Sequence, residues 1–205
     1  MSETPLPTRP VFARHAASLL LWRNGKDGTE VLMGIRGAGH RFMPNRLVFP
    51  GGAADPADRT APAATEPSPA TLALLARKAH PRLARALVMA AARELREETG
   101  LTFGDPPRLH EIDYLCRAIT PSRSPIRFNA RSLVASADLV QGEPADSHEL
   151  ESVRFYPVEE ALGFGLMGVT RDVLKRLQAY LALSDAERAA RSELFAYRQQ
   201  RWVTD

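Results

Sequence analysis

The chain has 205 residues, of which 44% are hydrophobic and 25% are charged. This composition is typical of one ordinary globular domain with a substantial core. The net charge of only +3 suits an anionic small molecule but is too slight to favour nucleic acid, and the lone Cys116 excludes an intramolecular disulfide and favours a reducing compartment.

Two strands joined by a tight turn are predicted near the start. They are residues 11–22 and 30–35, which flank the turn dipeptides Asn24-Gly25 and Asp27-Gly28. The loop after the second strand begins at Arg36. Its guanidinium is a candidate for holding phosphate oxygens at two points, and a solvated loop charge is the alternative.

A glycine bend and an inserted segment come next. A short strand ends at Phe49, and Gly51-Gly52 follow it, where the missing side chains let the backbone approach a ligand closely. Residues 53–81 are rich in Ala and Pro and contain one predicted helix, residues 71–79. We interpret this segment as an insertion that caps a pocket, contacts a second subunit or decorates the surface.

The next predicted helix carries the residues that suggest chemistry. Good helix formers run from Leu83 onward, and Gly100 stands at the position of a left-handed C-cap. Spacing of i, i+3 and i+4 puts Glu94, Glu97 and Glu98 on one face near the helix C-terminus, where repulsion and the helix dipole both disfavour carboxylates. A hard divalent cation such as Mg²⁺ or Mn²⁺ would remove this conflict, and a solvated polar face is the alternative.

Three strands and three helices are predicted after Gly100. The strands are residues 112–119, 127–135 and 152–156. One helix starts at Pro157, a second is capped by Thr170, and a third starts at a capping box of Ser184 and Glu187 and runs to about Arg201. Near the C-terminus, Leu194, Phe195 and Trp202 either pack on the body of the domain or form a dimer.

Two motifs resemble the Nudix box, the signature of the Nudix hydrolases. They are Arg93-Glu94-Leu95-x-Glu97-Glu98-x-Gly100-Leu101 and, upstream, Phe49-Pro50-Gly51-Gly52. The family pattern is Gly, five residues, Glu, seven residues, then Arg. Here 40 residues lie between Gly52 and Arg93. The chain therefore resembles the branch whose box is split by an insertion, which includes the peroxisomal coenzyme A diphosphatases and their bacterial relatives.

The early glutamate of the family pattern has no direct counterpart. Counting back from Arg93, its slot holds Arg85, a base where an acid is expected. Counting forward from Gly52, the slot holds Asp58, which is an acceptable substitute if the insertion begins after it. The competing interpretation of Asp58 is an ordinary turn residue.

The resemblance implies a fold and an activity. The expected fold is α+β, a Nudix-type α/β/α sandwich with a mixed β-sheet, as one domain over residues 1–205 with the insertion at about 53–81 and a helical extension at about 170–205. The expected activity is metal-dependent hydrolysis of the diphosphate of a nucleoside diphosphate linked to another group, with coenzyme A or acyl-CoA as the first substrate. A non-catalytic Nudix-fold nucleotide sensor or scaffold is the alternative.

The resemblance also assigns roles. The metal ligands implied are the Gly51 carbonyl, Glu94, Glu97 and Glu98, with Mg²⁺ or Mn²⁺ as the cofactor. Glu94 is also a candidate base oriented by Arg93, while Glu149 is a rival base, with Glu151 second and an ordinary charged loop as the alternative.

The remaining expectations concern the substrate and the setting. Arg36, Arg127 and Arg131 are candidates for binding the diphosphate, and solvation at the strand edge is equally favoured for the last two. We expect a small-molecule partner, no nucleic acid, no membrane and, as an open alternative, a homodimer. No targeting or transmembrane segment stands out in the sequence, so a cytoplasmic location is expected.

Overall fold

The computed structural model describes residues 11–39, 43–199 and 201–204. Nine strands in this part form one mixed sheet. The strands are β1 (Arg14–Gly25), β2 (Gly28–Arg36), β3 (Leu47–Val48), β4 (Gly51–Ala53), β5 (Asp113–Ile119), β6 (Phe128–Ser136), β7 (Leu150–Pro157), β8 (Phe195–Arg198) and β9 (Arg201–Thr204). The five α-helices of the same part are α1 (Pro69–Ala76), α2 (Pro81–Thr99), α3 (Val158–Gly163), α4 (Gly168–Leu181) and α5 (Asp185–Ala189).

The sheet is built around β1. The strand order is β3-β2-β1-β6-β5-β8-β9, and β4 and β7 pair with β1 and β2 respectively. The predicted hairpin is present, with Gly25 opposite Gly28, and β6 runs parallel to β1 over its length. The pairing of β4 with Ala16, Ala17 and Ser18 brings the glycine bend against the middle of the sheet.

Helices cover both faces of the sheet. One core joins Ala17, Leu19 and Leu21 of β1 to α2 and to Leu75 of α1. The other core joins Leu20 of β1 and residues of β2 to α3 and α4. Alternate residues of β1 therefore serve opposite cores, as the period of two in a strand requires.

Helix α2 lies close to the sheet because its buried face is rich in alanine. The buried alanines are Ala84, Ala86, Ala90, Ala91 and Ala92. Gly100 adopts φ 76°, and its amide donates to the Arg96 carbonyl, so the predicted left-handed cap is confirmed. No helix in the described residues is both long and apolar enough to cross a bilayer.

The C-terminal prediction needs two corrections. Helix α4 begins at Gly168, so Thr170 lies within its first turn and does not cap it. The last helix begins as predicted, with Ser184 and Glu187 forming its capping box, but its predicted extent to about Arg201 is wrong, because α5 ends at Ala189 and is followed by the hairpin of β8 and β9. Pairing of β8 with β5 overrides the helix propensity of this segment.

The hairpin of β8 and β9 packs on the chain's own body. Leu194 is 2% exposed, and the Arg176 guanidinium lies over the rings of Phe195 and Trp202 at 4.0 and 3.9 Å. The Trp202 indole also donates to Asp172 at 3.0 Å. Of the two alternatives for these side chains, the structure thus shows packing on the body.

Candidate active site

The three glutamates at the end of α2 differ in burial. Glu94 and Glu98 are 9% and 2% exposed, because they point toward the glycine bend of β4. The Glu97 side chain remains 55% exposed. The predicted acidic face therefore lies against the sheet on one side and in solvent on the other.

Glu98 is the most deeply placed carboxylate of the site. Its Oε2 accepts a hydrogen bond from the Gly51 amide at 2.7 Å. Its Oε1 is buried and finds no hydrogen-bond donor among the described residues, and the nearest cation, Arg36 Nη2, is 3.8 Å away. Burial raises the pKa of Glu98 to about 8, with contributions from the charges of Glu94 and Glu149, although the Gly51 amide and Arg36 oppose the shift.

Each glycine of the bend lies close against a neighbouring group. Gly51 has φ 154°, and a Cβ there would overlap the backbone of Ala17 and Ser18. A Cβ on Gly52 would overlap the Glu94 carboxylate. The bend thus lets two carboxylates of α2 approach the backbone of the sheet.

Arg93 connects α2 to the start of the insertion. Its Nη1 donates to Glu94 Oε1 at 2.8 Å and to Glu97 Oε2 at 2.9 Å. On the other side, Nε and Nη2 donate to the two carboxylate oxygens of Asp58 at 3.0 and 3.2 Å, and Nη2 also reaches the Ala53 carbonyl. Burial alone would lower the pKa of Arg93, but these carboxylates raise it above its ordinary value.

A fourth glutamate, Glu149, belongs to the site electrostatically and lies in the loop just before β7. Burial raises the pKa of Glu94, Arg93 opposes the shift, and the charges of Glu97 and Glu149 add to it. The charge of Glu149 also raises the pKa of Glu98, and the Glu149 carbonyl accepts a hydrogen bond from the Gly37 amide, next to Arg36. Glu151 is exposed and pairs with Ile35 in the sheet. Glu149 is thus better placed than Glu151, although its catalytic role stays a prediction.

The three candidate arginines have different surroundings. The Arg36 guanidinium lies beside Glu98, with Nη2 3.8 Å from Oε1. Arg127 instead donates to the backbone carbonyls of Val11 and Thr120.

Arg131 is almost fully buried, at 1% exposure, and donates to the carbonyls of Asn129 and Lys78. The structure therefore brings Arg36 to the cluster and engages Arg127 and Arg131 with backbone oxygens.

The two candidates for the early acid of the family pattern are also placed. Asp58 is 2% exposed and lies in a 3₁₀ turn, where its Oδ2 accepts from the Asp55 amide at 2.7 Å while the carboxylate also binds Arg93. It is both the turn residue and the acid at the site. Arg85 forms an ion pair with Glu66, a contact that no motif in the sequence indicated.

The oxygen atoms of the site determine whether it can hold a divalent cation. Within residues 11–39, 43–199 and 201–204, no three His, Cys, Asp or Glu side chains are arranged as a metal site. Arg93 engages Glu94 and Glu97, so a cation would compete with it for these oxygens. The partnerless Oε1 of Glu98 and the burial cost of its charge favour a cation nonetheless, and carboxylate oxygens suit Mg²⁺ or Mn²⁺. The residues fit such an ion chemically.

Comparisons with known proteins identify the fold of the chain. Residues 84–177 match the family model described as NUDIX domain. A NUDIX hydrolase from Alicyclobacillus acidocaldarius superposes with a TM-score of 0.64 at 24% identity, covering 82% of this chain and 92% of that one. No curated protein matches the chain significantly.

Two further solved structures share the fold. A C. elegans Ap4A hydrolase in a binary complex has a TM-score of 0.51 at 16% identity and covers 83% of this chain and 98% of that one. The NUDIX domain of Shewanella oneidensis NrtR complexed with ADP ribose has a TM-score of 0.50 at 17% identity, covering 84% and 90% respectively. The expected mixed-sheet α+β fold is confirmed, because the chain has the Nudix fold and residues 84–177 match the NUDIX domain model.

Proposed function

We propose that the chain is a Mg²⁺- or Mn²⁺-dependent pyrophosphohydrolase that cleaves a phosphoanhydride in a nucleoside diphosphate linked to another group. The observation that carries this proposal is Glu98. Its carboxylate is buried, has one oxygen without a hydrogen-bond donor among the described residues, and lies beside the bend at Gly51. A structural acid in that position would be better replaced by an apolar or amide side chain, so its burial favours a cation ligand.

The residues have complementary roles in this proposal. Glu94, Glu97, Glu98 and the Gly51 carbonyl would hold the cation, which when bound supplies an activated water and neutralises charge on the phosphate oxygens. Arg93 orients Glu94 through its 2.8 Å hydrogen bond.

A carboxylate with a raised pKa is a stronger base and is therefore suited to accept the proton of the water. Glu94 and Glu149 are the two candidates, because Glu94 has a raised pKa and Glu149 lies close enough to contribute to that shift.

The substrate class follows from charge and from relatives of the same fold. Arg36 lies next to the cluster and is the first candidate to bind the diphosphate, with Arg127 and Arg131 second because backbone carbonyls engage them. The relatives described above include an Ap4A hydrolase and a domain complexed with ADP ribose, and both compounds contain adenosine phosphates. Coenzyme A or acyl-CoA remains our first choice, because the split box suggests it. We propose that the enzyme acts on a small molecule in the cytoplasm, and that its 205 residues form one domain.

The direct test is hydrolysis of a panel of diphosphates. Coenzyme A, an acyl-CoA, ADP-ribose, NADH and diadenosine polyphosphates are incubated with Mg²⁺ or Mn²⁺, and both product halves are identified by mass spectrometry. We expect one class to be cleaved and Glu97→Gln to abolish its turnover. Glu97 is exposed, so this variant is expected to fold. Equal turnover by Glu97→Gln, or no turnover of any compound, would contradict the proposal.

A nucleotide sensor with the same fold is the second candidate. It is favoured by Arg93, which pairs with Glu94 and Glu97 and so offsets part of their negative charge without a metal. A sensor would bind a nucleotide from the panel tightly with EDTA present and cleave none. Calorimetry on the same compounds separates the two functions.

A further inference from the structure

Arg85 forms a two-point contact with an acid of the insertion. Its Nε donates to Glu66 Oε2 at 2.7 Å, and its Nη2 donates to Glu66 Oε1 at 2.9 Å. The planar fork of a guanidinium matches a carboxylate in this arrangement and fixes their relative orientation. Residue 85 on α2 is thereby tied to residue 66 of the inserted segment.

The same guanidinium holds two backbone carbonyls of the insertion. Nη1 donates to the Asp58 carbonyl at 3.2 Å, and Nη2 donates to the Ala61 carbonyl at 2.8 Å. The Ala61 amide in turn donates to Ala57. Arg85 therefore secures the turn that contains Asp58 as well as the segment that follows it.

Asp58 is held from two positions on α2. Its carbonyl oxygen is bonded by Arg85, while its carboxylate binds Arg93. These two arginines are eight residues apart, about 12 Å along a helix, so their side chains converge on Asp58 from positions just over two turns apart on α2. Its carboxylate then fixes the guanidinium that reaches Glu94.

We propose that Arg85, together with Glu66, is a positioning residue that holds Asp58 so that Arg93 keeps Glu94 oriented. Arg85 occupies the position at which the early acid of the Nudix box is expected, counting back from Arg93. This inference rests on the proposed function for its kinetic consequence, but the arrangement of Arg93 is independent of catalysis.

Stability alone does not account for this arrangement. The Glu66 side chain is 58% exposed, and an ion pair with one partner so open to water contributes little to folding stability. The other bonds of Arg85 go to the carbonyls of Asp58 and Ala61, and so act on the turn beside the site. Loss of the contact should therefore change the site more than it changes the melting temperature. This difference separates a positioning role from a merely structural one.

The test uses Arg85→Gln, Asp58→Asn and the double variant, with Arg82→Gln as the matched control because Arg82 is an exposed arginine of the same helix. We expect Arg85→Gln to lower kcat about 10-fold, at the low end of effects from supporting residues, with KM within about twofold. Arg85→Lys keeps the charge without the fork and should be intermediate. Because both residues act through Arg93, the double variant should be no slower than Asp58→Asn.

A second measurement does not depend on turnover. Nitrogen-15 NMR follows the solvent exchange of Arg93 Hε, the proton donated to Asp58, and we expect faster exchange in Arg85→Gln but not in Arg82→Gln. Two results would overturn the positioning role. One is unchanged exchange of Arg93 Hε in Arg85→Gln, and the other is a double variant whose kcat falls by the product of the two single losses. If the wild-type protein cleaves no diphosphate, the proposed function fails, and Arg93 exchange alone decides the inference.

Discussion

Arg93 and Asp58 form a two-point ion pair across the boundary of the insertion. Nε lies 3.0 Å from Oδ1 and Nη2 lies 3.2 Å from Oδ2. The Asp58 side chain is 3% exposed, so water hardly competes for the carboxylate. Arg93 is thus fixed at one edge while its Nη1 holds Glu94 and Glu97 at the other.

Removing the charge of Asp58 should impair the site. Asp58→Asn leaves Arg93 with one acceptor at most in place of two, and we expect turnover to fall by about 10- to 100-fold, the usual effect of losing a residue that supports a metal ligand. Steady-state kinetics measure this loss. The control is Asp55→Asn, because the Asp55 carboxylate is 59% exposed and 3.9 Å from Arg93. Equal losses in the two variants would refute the role of Asp58.

The buried Glu98 carboxyl should make the metal-free protein less stable as pH rises. Its folded pKa of about 8 lies above the ordinary value of 4.5, so between these values the folded state holds a proton that the unfolded chain releases. Stability therefore falls with increasing pH in this window. In EDTA at pH 8, Glu98→Gln should melt at least about 2–4 °C above the wild type, the shift that 1 kcal/mol causes in a chain of this size.

The matched control for that experiment is Glu97→Gln. It removes a carboxylate from the same helix, but from a side chain that is 55% exposed. Thermal melts between pH 4.5 and 8 should show the wild-type slope for Glu97→Gln and a reduced slope for Glu98→Gln. If the melting temperatures of all three proteins changed equally with pH, ionisation of Glu98 would not destabilise the folded protein, and the prediction would be wrong.

A single methyl group on the glycine bend should displace Glu94. The Cβ of Gly52→Ala would overlap the Glu94 carboxylate, which is the end of a flexible side chain and can move. We expect a small change in melting temperature, together with a loss of Mn²⁺ affinity of about 10-fold or more. Calorimetric titration with Mn²⁺ measures this loss of affinity. In Gly39→Ala the new Cβ meets nothing within 4 Å, so this variant should bind Mn²⁺ like the wild type.

Variants of Glu149 and Glu151 distinguish between the candidate bases. Glu149→Gln should lower kcat by about 100-fold, because general-base catalysis contributes at least that much. Glu151→Gln should leave kcat nearly unchanged, since Glu151 is exposed. The measurement is kcat across pH for both variants. A wild-type profile in Glu149→Gln would leave Glu94 as the base.

Local signals in the sequence were sufficient for the centre of the fold. The extent of α2, its Gly100 cap and the hairpin around Gly25 follow from propensity and turn chemistry, and the structure has them all. The C-terminal hairpin could not be predicted in this way, because β8 forms through its pairing with β5, which is distant in sequence. Helix-forming residues before Phe195 favoured the wrong element.

The same limit applies to the site. The spacing of the α2 glutamates indicated one acidic face, and the structure brings Glu94 and Glu98 to the glycine bend. Sequence gave no sign that Arg131 would be buried against the Lys78 carbonyl, or that Arg85 would pair with Glu66. Both contacts depend on how the insertion folds back onto the domain, which no local pattern encodes.

The most direct test is anomalous diffraction from crystals soaked in Mn²⁺. We expect a manganese peak bound by Glu98 and Glu94 beside the Gly51 carbonyl, with Glu97 drawn away from Arg93. If crystals soaked at saturating Mn²⁺ show no peak there, and Arg93 keeps both Glu94 and Glu97, the metal-dependent hydrolase assignment is contradicted.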